Sequence, residues 1–374
     1  MTKQVKFRAR EALKGIRPYT PGKPIEEVKR ELGIEDVIKM ASNENPLGPA
    51  PKAVRAMEEA VRQVHFYPDG NCFSLKEAIA AHRGVEAGQI IVGNGSDEII
   101  KLLAETFINE GDNAVMADPS FSEYEFAVTL MGGILKKVPL AEGFRHDLPA
   151  MLEAIDENTR LIFVCNPNNP TGTIVGRREV EDFMEKVPDH VVVVFDEAYQ
   201  EYVESPDYLS GLDYVKAGRD NVMVLYTFSK IYGMGGMRIG YGIANSELMG
   251  WVYRTREPFN VNSLAQAGAQ AALSDGEHIR ISRETNLSGA NYLYDQFGEM
   301  DLPYTASETN FIWVNVKTDC KEVFTGLMKQ GVIVRTGDIF GYPEYIRVTI
   351  GTPAQNGRFI RALRDVLGME PSAN

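Results

Sequence analysis

Cysteine is scarce in this chain: three occur in 374 residues, Cys72, Cys165 and Cys320. The odd total and the lack of any Cys-x-x-Cys pair argue against a disulfide framework, so a reducing cytoplasm is the expected compartment. No apolar run approaches the roughly 18 residues of a membrane helix. The charged N-terminus, Met-Thr-Lys-Gln-Val-Lys-Phe-Arg, has no apolar run behind it, so neither a signal peptide nor a membrane span is expected. Five histidines, at 65, 82, 146, 190 and 278, share no ligand spacing; no protein metal site is expected, and His190 reads as the opening of a strand. Basic residues are outnumbered, 39 against 52 acidic, and the formal charge of -13 repels nucleic acid and anionic membranes. Internal repeats and low-complexity tracts are missing too.

What is present is globular: 44% hydrophobic and 24% charged residues, over a length that suits two domains. Helical and strand patterns alternate as in a mostly parallel sheet covered on both faces, an α/β architecture. Val54, Met57, Val61 and Val64 have the spacing of an amphipathic helix. Residues 113–117, 161–165, 191–195 and 222–226 read as strands. Pro258-Phe-Asn-Val-Asn262 interrupts a helical region that begins near Ser246 and precedes a long periodic stretch from Leu264 to Phe297, which places a domain boundary there. The remainder, with strands at 311–316, 332–335 and 345–350, reads as a smaller α+β domain.

Four segments carry chemistry. In Thr227-Phe-Ser229-Lys230, followed by Gly233, Gly235, Gly236 and Arg238, one lysine lies between hydroxyls and an arginine. That set suits a cofactor that is both aldehyde and phosphate: the amine condenses with the aldehyde, while hydroxyls and guanidinium bind phosphate oxygens. Pyridoxal 5'-phosphate is the candidate. Taken alone the segment also reads as a basic surface turn. The second segment, His190 to Tyr199, is a fully apolar strand ending in Asp196-Glu197, and ligands of open α/β sheets bind at such strand ends. Asp196 there can keep a pyridine nitrogen protonated and Tyr199 can reach the ring hydroxyl; a strand-terminal acid capping the next segment is the plainer alternative. The third, Leu161 to Gly172, runs from a strand into Asn166-Pro-Asn-Asn169-Pro-Thr-Gly172, where Asn169 offers a donor to the same ring oxygen. The fourth, Gln89 to Glu98, reads as strand, glycine turn and helix N-terminus. The first-turn amides of Gly95, Ser96 and Asp97 can cradle a phosphate, although Ser96 or Asp97 can equally cap the helix. It matches neither a Walker A sequence nor G-x-G-x-x-G.

In this order the four segments resemble a fold-type I pyridoxal-phosphate aminotransferase of the class II subgroup, and the chain is most similar to the histidinol-phosphate aminotransferase family. Arg17-Pro-Tyr19, Ala41-Ser-Asn43-Glu-Asn45-Pro46, Phe66-Tyr67-Pro-Asp-Gly70, Pro258 to Asn262 and Ile346-Arg347 to Thr352 extend the likeness over about residues 10 to 360. The resemblance implies a large cofactor-binding domain (46–260) on a mostly parallel seven-stranded sheet and a smaller C-terminal domain (261–374). It also implies an N-terminal arm (1–45) that packs with the small domain or the partner subunit of a homodimer with shared active sites. It implies imine formation at Lys230, ring pairing by Asp196, ring-oxygen bonds from Asn169 and Tyr199, and phosphate contacts from Thr227, Ser229 and Arg238. Tyr67 is then expected to reach the neighbouring subunit's phosphate, and Phe121 to stack on the ring. Tyr19, Asn45, Arg335 and Arg347 are the expected substrate contacts.

The implied activity is transfer of the amino group of histidinol phosphate to 2-oxoglutarate, within histidine biosynthesis. An aromatic amino acid as donor, using Arg347 for its α-carboxylate, is the alternative, and a threonine-phosphate-type decarboxylase is a further one. By themselves the strand arginines 335 and 347 fit either an anionic ligand or a salt bridge. Two departures from the usual family pattern occur: Gly235-Gly236-Met237 stands where many members have Ala-Gly-Leu, and Thr336 follows Arg335 where proline is common. The extra glycine loosens the loop that carries Arg238.

Overall fold

A computed structural model describes residues 8–16 and 22–369. Its larger sheet has seven strands: β1 (Ile90–Gly93), β2 (Asn113–Asp118), β3 (Ile134–Pro139), β4 (Thr159–Cys165), β5 (Val192–Asp196), β6 (Val222–Thr227) and β7 (Gly240–Ala244). Their spatial order is β1-β7-β6-β5-β4-β2-β3. Strands β2 to β6 pair in parallel, and β7 runs antiparallel to both β1 and β6. The mostly parallel seven-stranded sheet expected from the resemblance is therefore present, with one strand reversed.

Successive strand residues enter two different cores. Val193 and Phe195 belong to the core that also takes in residues of α1 (Pro51–Ala60), α2 (Phe73–Arg83) and α5 (Ser263–Ala272); Val192 and Val194 belong to the one that takes in α3 (Ser96–Phe107) and α4 (Glu123–Leu130). This double burial is why β5 reads as an unbroken apolar run and not as an alternation. Each such side chain contributes about 1.5–3 kcal/mol by leaving water. The parallel pairing also carries the C-terminal residues of β2, β4, β5 and β6, namely Asp118, Cys165, Asp196 and Thr227, to one edge of the sheet.

A second, antiparallel sheet comprises β8 (Tyr304–Thr305), β9 (Phe311–Asn315), β10 (Arg335–Thr336) and β11 (Tyr345–Thr349), in the order β10-β11-β9-β8. Ile312, Val314, Ile346 and Val348 face a core shared with α6 (Gly276–Glu299) and α7 (Pro353–Val366). Period two then puts Arg347 and Thr349 on the opposite face. Ile38–Lys39 pairs in parallel with Val332–Ile333, and Val28, Ala41 and Ile333 share a small cluster.

Three elements differ from expectation. The strand expected over 332–335 changes partner at Val334: its first half pairs with Ile38–Lys39 and its second with β11. The periodic stretch 264–297 is two helices, broken where Asp275 accepts from Lys52 N at 3.0 Å and Ser274 O accepts from Lys52 Nζ at 2.6 Å. The helix expected through Val64 ends at Ala60, passes into a 3-10 turn, and leaves Val61 and Val64 exposed. Among the described residues no helix is long and apolar enough to cross a membrane.

Candidate active site

The strand ends at this edge open into a cavity of about 650 Å³, whose far wall comes from the second sheet. Asp196 and Thr227 close β5 and β6, and Lys230 follows in the loop after β6; all three line the cavity. Thr227 Oγ1 accepts from Ser229 N at 3.1 Å, a tight turn that presents Ser229 and Lys230 side by side. Lys230 Nζ donates to Ser42 O at 3.2 Å and stands 5.5 Å from the centre of the Tyr199 ring. Burial, then the Arg347 cation, pushes this amine down to about 8. A lysine so placed is partly deprotonated near neutrality, as a nucleophile or proton carrier requires.

Asp196 is 2% exposed, and burial pushes its carboxyl up to about 6. Tyr124 OH donates to Asp196 Oδ2 at 2.7 Å and Ala198 N to Oδ1 at 3.2 Å, and both bonds favour the ionised form. Tyr124, on α4, stacks against Phe163 (4.5 Å, 9°) and meets Phe121 edge-on (5.6 Å, 86°). Sequence reasoning missed Tyr124, although it lies only three residues beyond Phe121 in a run that turns helical. Glu197, the neighbouring acid, points away from the cavity and accepts from Ser210 Oγ, Tyr226 OH and Gly211 N.

Tyr199 OH accepts from Asn43 Nδ2 at 3.0 Å. Asn169, in the loop after β4, accepts through Oδ1 from Arg347 Nη1. With its oxygen so committed, the amide offers Nδ2 to the cavity, the donor expected of it. Arg347 is 7% exposed; it also donates to Ala41 O at 2.7 Å and lies 5.2 Å from the Phe311 ring centre. Arg335 lines the same wall, and the register makes Arg335 and Arg347 direct cross-strand partners. Like charges directly opposed across strands repel, so the pair concentrates positive charge on that wall.

At the other end, Gly95 is the N-cap of α3, with φ 80°, and as a glycine it has no side chain to cap the helix. Ser96 and Asp97 begin the helix, and all three residues line the cavity. A Cβ on Gly95 would sit 2.9 Å from Arg238 Nη2, so that glycine leaves room for the guanidinium, and one on Gly240 would sit 2.6 Å from Ser96 N, so that glycine lets the helix start pack closely on β7. Arg238, left-handed at φ 53°, bonds Gly235 O at 3.0 Å and Asp97 Oδ2 at 2.9 Å. Phe121 lines the same cavity.

Arranged around one cavity are thus an amine, a buried carboxylate, an anion cradle and a pair of arginines. A family model, aminotransferase class I and II, matches residues 35–363. The chain belongs to the class I and II aminotransferases. Among individual relatives of this aminotransferase, the histidinol-phosphate aminotransferase of Moorella thermoacetica is 59% identical over 360 residues, covering 96% of this chain and 93% of that one. The solved histidinol-phosphate aminotransferase of Sinorhizobium meliloti, in complex with pyridoxal-5'-phosphate, superposes with a TM-score of 0.89 at 26% identity, covering 98% and 99%. An L-threonine-O-3-phosphate decarboxylase from Porphyromonas gingivalis follows at 0.76 and 26%, covering 89% and 100%.

Of three further expected contacts of this aminotransferase, one is turned away from the cavity, one lies on the surface where only a partner's site could meet it, and one is outside the described residues. Asn45 does not border the cavity: its amide donates to Ile231 O at 2.7 Å and Ser282 Oγ at 2.9 Å, and Asn43, two residues earlier, reaches Tyr199 instead. Strand-like direction reverses at Asn43, whose φ is 58°, so the spacing of the motif did not reveal which asparagine faces inward. Tyr67 is 84% exposed, stacked on Phe259 (5.0 Å, 28°) and remote from the cavity of its own chain. Tyr19, with the rest of Arg17-Pro-Tyr19, lies outside the described residues.

Proposed function

We propose that this aminotransferase moves the amino group of histidinol phosphate onto 2-oxoglutarate, using pyridoxal 5'-phosphate. The observation that carries the donor assignment is the cross-strand pair Arg335 and Arg347, two positive side chains that line the same cavity as Lys230. The 59% identity to a histidinol-phosphate aminotransferase supports it.

The residues fit the cofactor. A helix N-terminus capped by a glycine, which has no side chain to occupy it, and a guanidinium beside it suit a phosphate. The Arg238–Asp97 pair is half exposed, so exchanging it for a phosphate contact costs little. Thr227 and Ser229 add hydroxyls, Asp196 supplies a carboxylate for a ring nitrogen, Asn169 and Tyr199 supply donors for a ring oxygen, and Phe121 an apolar face. Bound there, the cofactor supplies an aldehyde for amino groups and a ring that takes up the electron pair of a broken C–H bond.

The remaining chemistry belongs to the chain. Lys230 Nζ carries the proton between substrate carbon and cofactor, and its depressed pKa lets it take and return that proton near neutral pH. Asp196, oriented by Tyr124, holds positive charge at the ring nitrogen. Arg335 and Arg347 orient the anionic end of the donor and, in the second half-reaction, a carboxylate of the acceptor. Val61, Val64, Phe66, Tyr67, Phe73 and Phe259 are exposed, and Tyr67 stacks on Phe259; such apolar side chains suit contact with a second copy, in a homodimer where Tyr67 reaches the partner's phosphate site. We place the boundary between the two domains at the start of α6 and not at 260, because Ala265, Ala269 and Ala272 of α5 pack in the large-sheet core.

The test mixes cofactor-loaded protein with histidinol phosphate, phenylalanine, tyrosine or aspartate and follows loss of the visible cofactor absorbance, with carbon dioxide measured alongside. Histidinol phosphate should react fastest and without gas. Fast reaction with phenylalanine and none with histidinol phosphate would refute the donor assignment; carbon dioxide without an oxo product would refute transamination.

A further inference from the structure

The turn that follows Lys230 has three successive carbonyls, and all are bonded. Lys230 O accepts from Gly233 N at 3.0 Å and Tyr232 O from Ala50 N at 3.2 Å. Between them, Ile231 O accepts from two side chains, Asn45 Nδ2 at 2.7 Å and His278 Nε2 at 3.2 Å. A carbonyl only accepts, so His278 Nε2 carries hydrogen. The 3.4 Å approach of Asn45 Nδ2 to His278 Nε2 then brings two donors together and is no bond.

Asn45 has nothing left for the cavity. Its second amide hydrogen goes to Ser282 Oγ at 2.9 Å, and its Oδ1 accepts from Leu47 N at 3.0 Å. His278 and Ser282 are four residues apart on α6 and so share one face. All three side chains are buried. The strap beyond Asn45 presses on the same turn: a Cβ on Gly233, at φ 68°, would lie 2.0 Å from Gly48 O. The same strap provides Ser42 O, which Lys230 Nζ meets.

We propose that Asn45 and His278 are positioning residues for Lys230, gripping the next peptide so that the amine stays inside the cavity; this rests on the reading of Lys230 given above. Held there, the amine sits among Arg347, Asp97, Glu44 and Arg238, and burial lowers its basicity. With Ile231 O released, the turn loosens, the amine reaches water, and its basicity returns toward that of an ordinary lysine. A polar cluster that merely stabilised the fold would leave the amine's titration unchanged.

The experiment uses the cofactor-free full chain. Lys230 is methylated with formaldehyde and cyanoborohydride across a pH series, and its peptide is read by mass spectrometry. The parent midpoint should fall near 8. In His278→Leu and Asn45→Leu it should rise by more than about one pH unit, which is at least about fivefold slower labelling at the parent midpoint. His278→Gln, whose amide nitrogen can donate to the same carbonyl, should titrate with the parent. A folded His278→Leu or Asn45→Leu protein with the parent midpoint overturns the proposal. Should neither fold, Ser282→Ala decides: it removes only the second acceptor of Asn45, a rise supports the proposal, and no rise overturns it. An ordinary lysine midpoint in the parent would refute the reading of Lys230 itself.

Discussion

Replacing Tyr124 by phenylalanine tests how the buried acid of the site is kept ionisable. The ring stays stacked on Phe163, and only the hydroxyl that donates to Asp196 at 2.7 Å is lost. A hydrogen bond to a charged group is worth about 1.5–3 kcal/mol. At about 1.4 kcal/mol per pH unit, that loss moves Asp196 from about 6 to roughly 7–8. The sign follows from linkage. Asp196 is already raised above its ordinary 3.8, so its contribution to stability is full below that value and falls away as pH rises through 6, by about 3 kcal/mol in all. Tyr124→Phe extends that fall to higher pH. Near pH 5 the folded proteins both hold a mostly protonated Asp196 and differ little; near pH 9 both are ionised and the variant is weaker by the full 1.5–3 kcal/mol. Urea unfolding of the cofactor-free proteins at the two pH values reads the difference, with all other titrating groups common to both. An equal difference at both pH values, or a larger one at pH 5, would refute the coupling.

Other outcomes follow from the same site. Lys230→Ala should retain weak cofactor binding but lose turnover by at least about 10²-fold, measured in single-turnover mixing, and undiminished turnover would contradict the lysine's role. Arg335→Gln should raise KM for a phosphorylated donor by about 10- to 150-fold, the equivalent of one charged hydrogen-bonding group, while leaving an unphosphorylated donor nearly unaffected in steady-state assays. Gly235→Ala should stabilise the protein by about 0.4–1 kcal/mol in denaturant melts, because its φ is not positive and the added Cβ would meet Ser229 O only at 3.6 Å.

Strand identity in the large sheet was legible because β4, β5 and β6 are buried on both faces and so spell unbroken apolar runs. The chemical ends of those strands were legible for the same reason: each run stops at the sheet edge, and Asp196, Asn169 and Lys230 follow directly. The break between α5 and α6 was marked only by Ser274-Asp275-Gly276 inside an otherwise helical pattern, and it is fixed by the bond of Asp275 to Lys52, more than 200 residues earlier. Strand 332–335 likewise reads as one piece locally and divides only because two different partners lie beside it.

What the sequence by itself determined is therefore the local chemistry: double-faced strands, a glycine-capped helix start, and the acid, amide and amine at strand ends. Each depends on residues within a few positions of one another. Tertiary structure alone decided which members of those motifs meet: Asn43 and not Asn45 at Tyr199, Tyr124 on Asp196, Arg347 on Asn169, and Asn45 with His278 on the peptide after Lys230. Those choices depend on side-chain direction and on packing between segments far apart in the chain, and neither spacing nor composition encodes them in readable form.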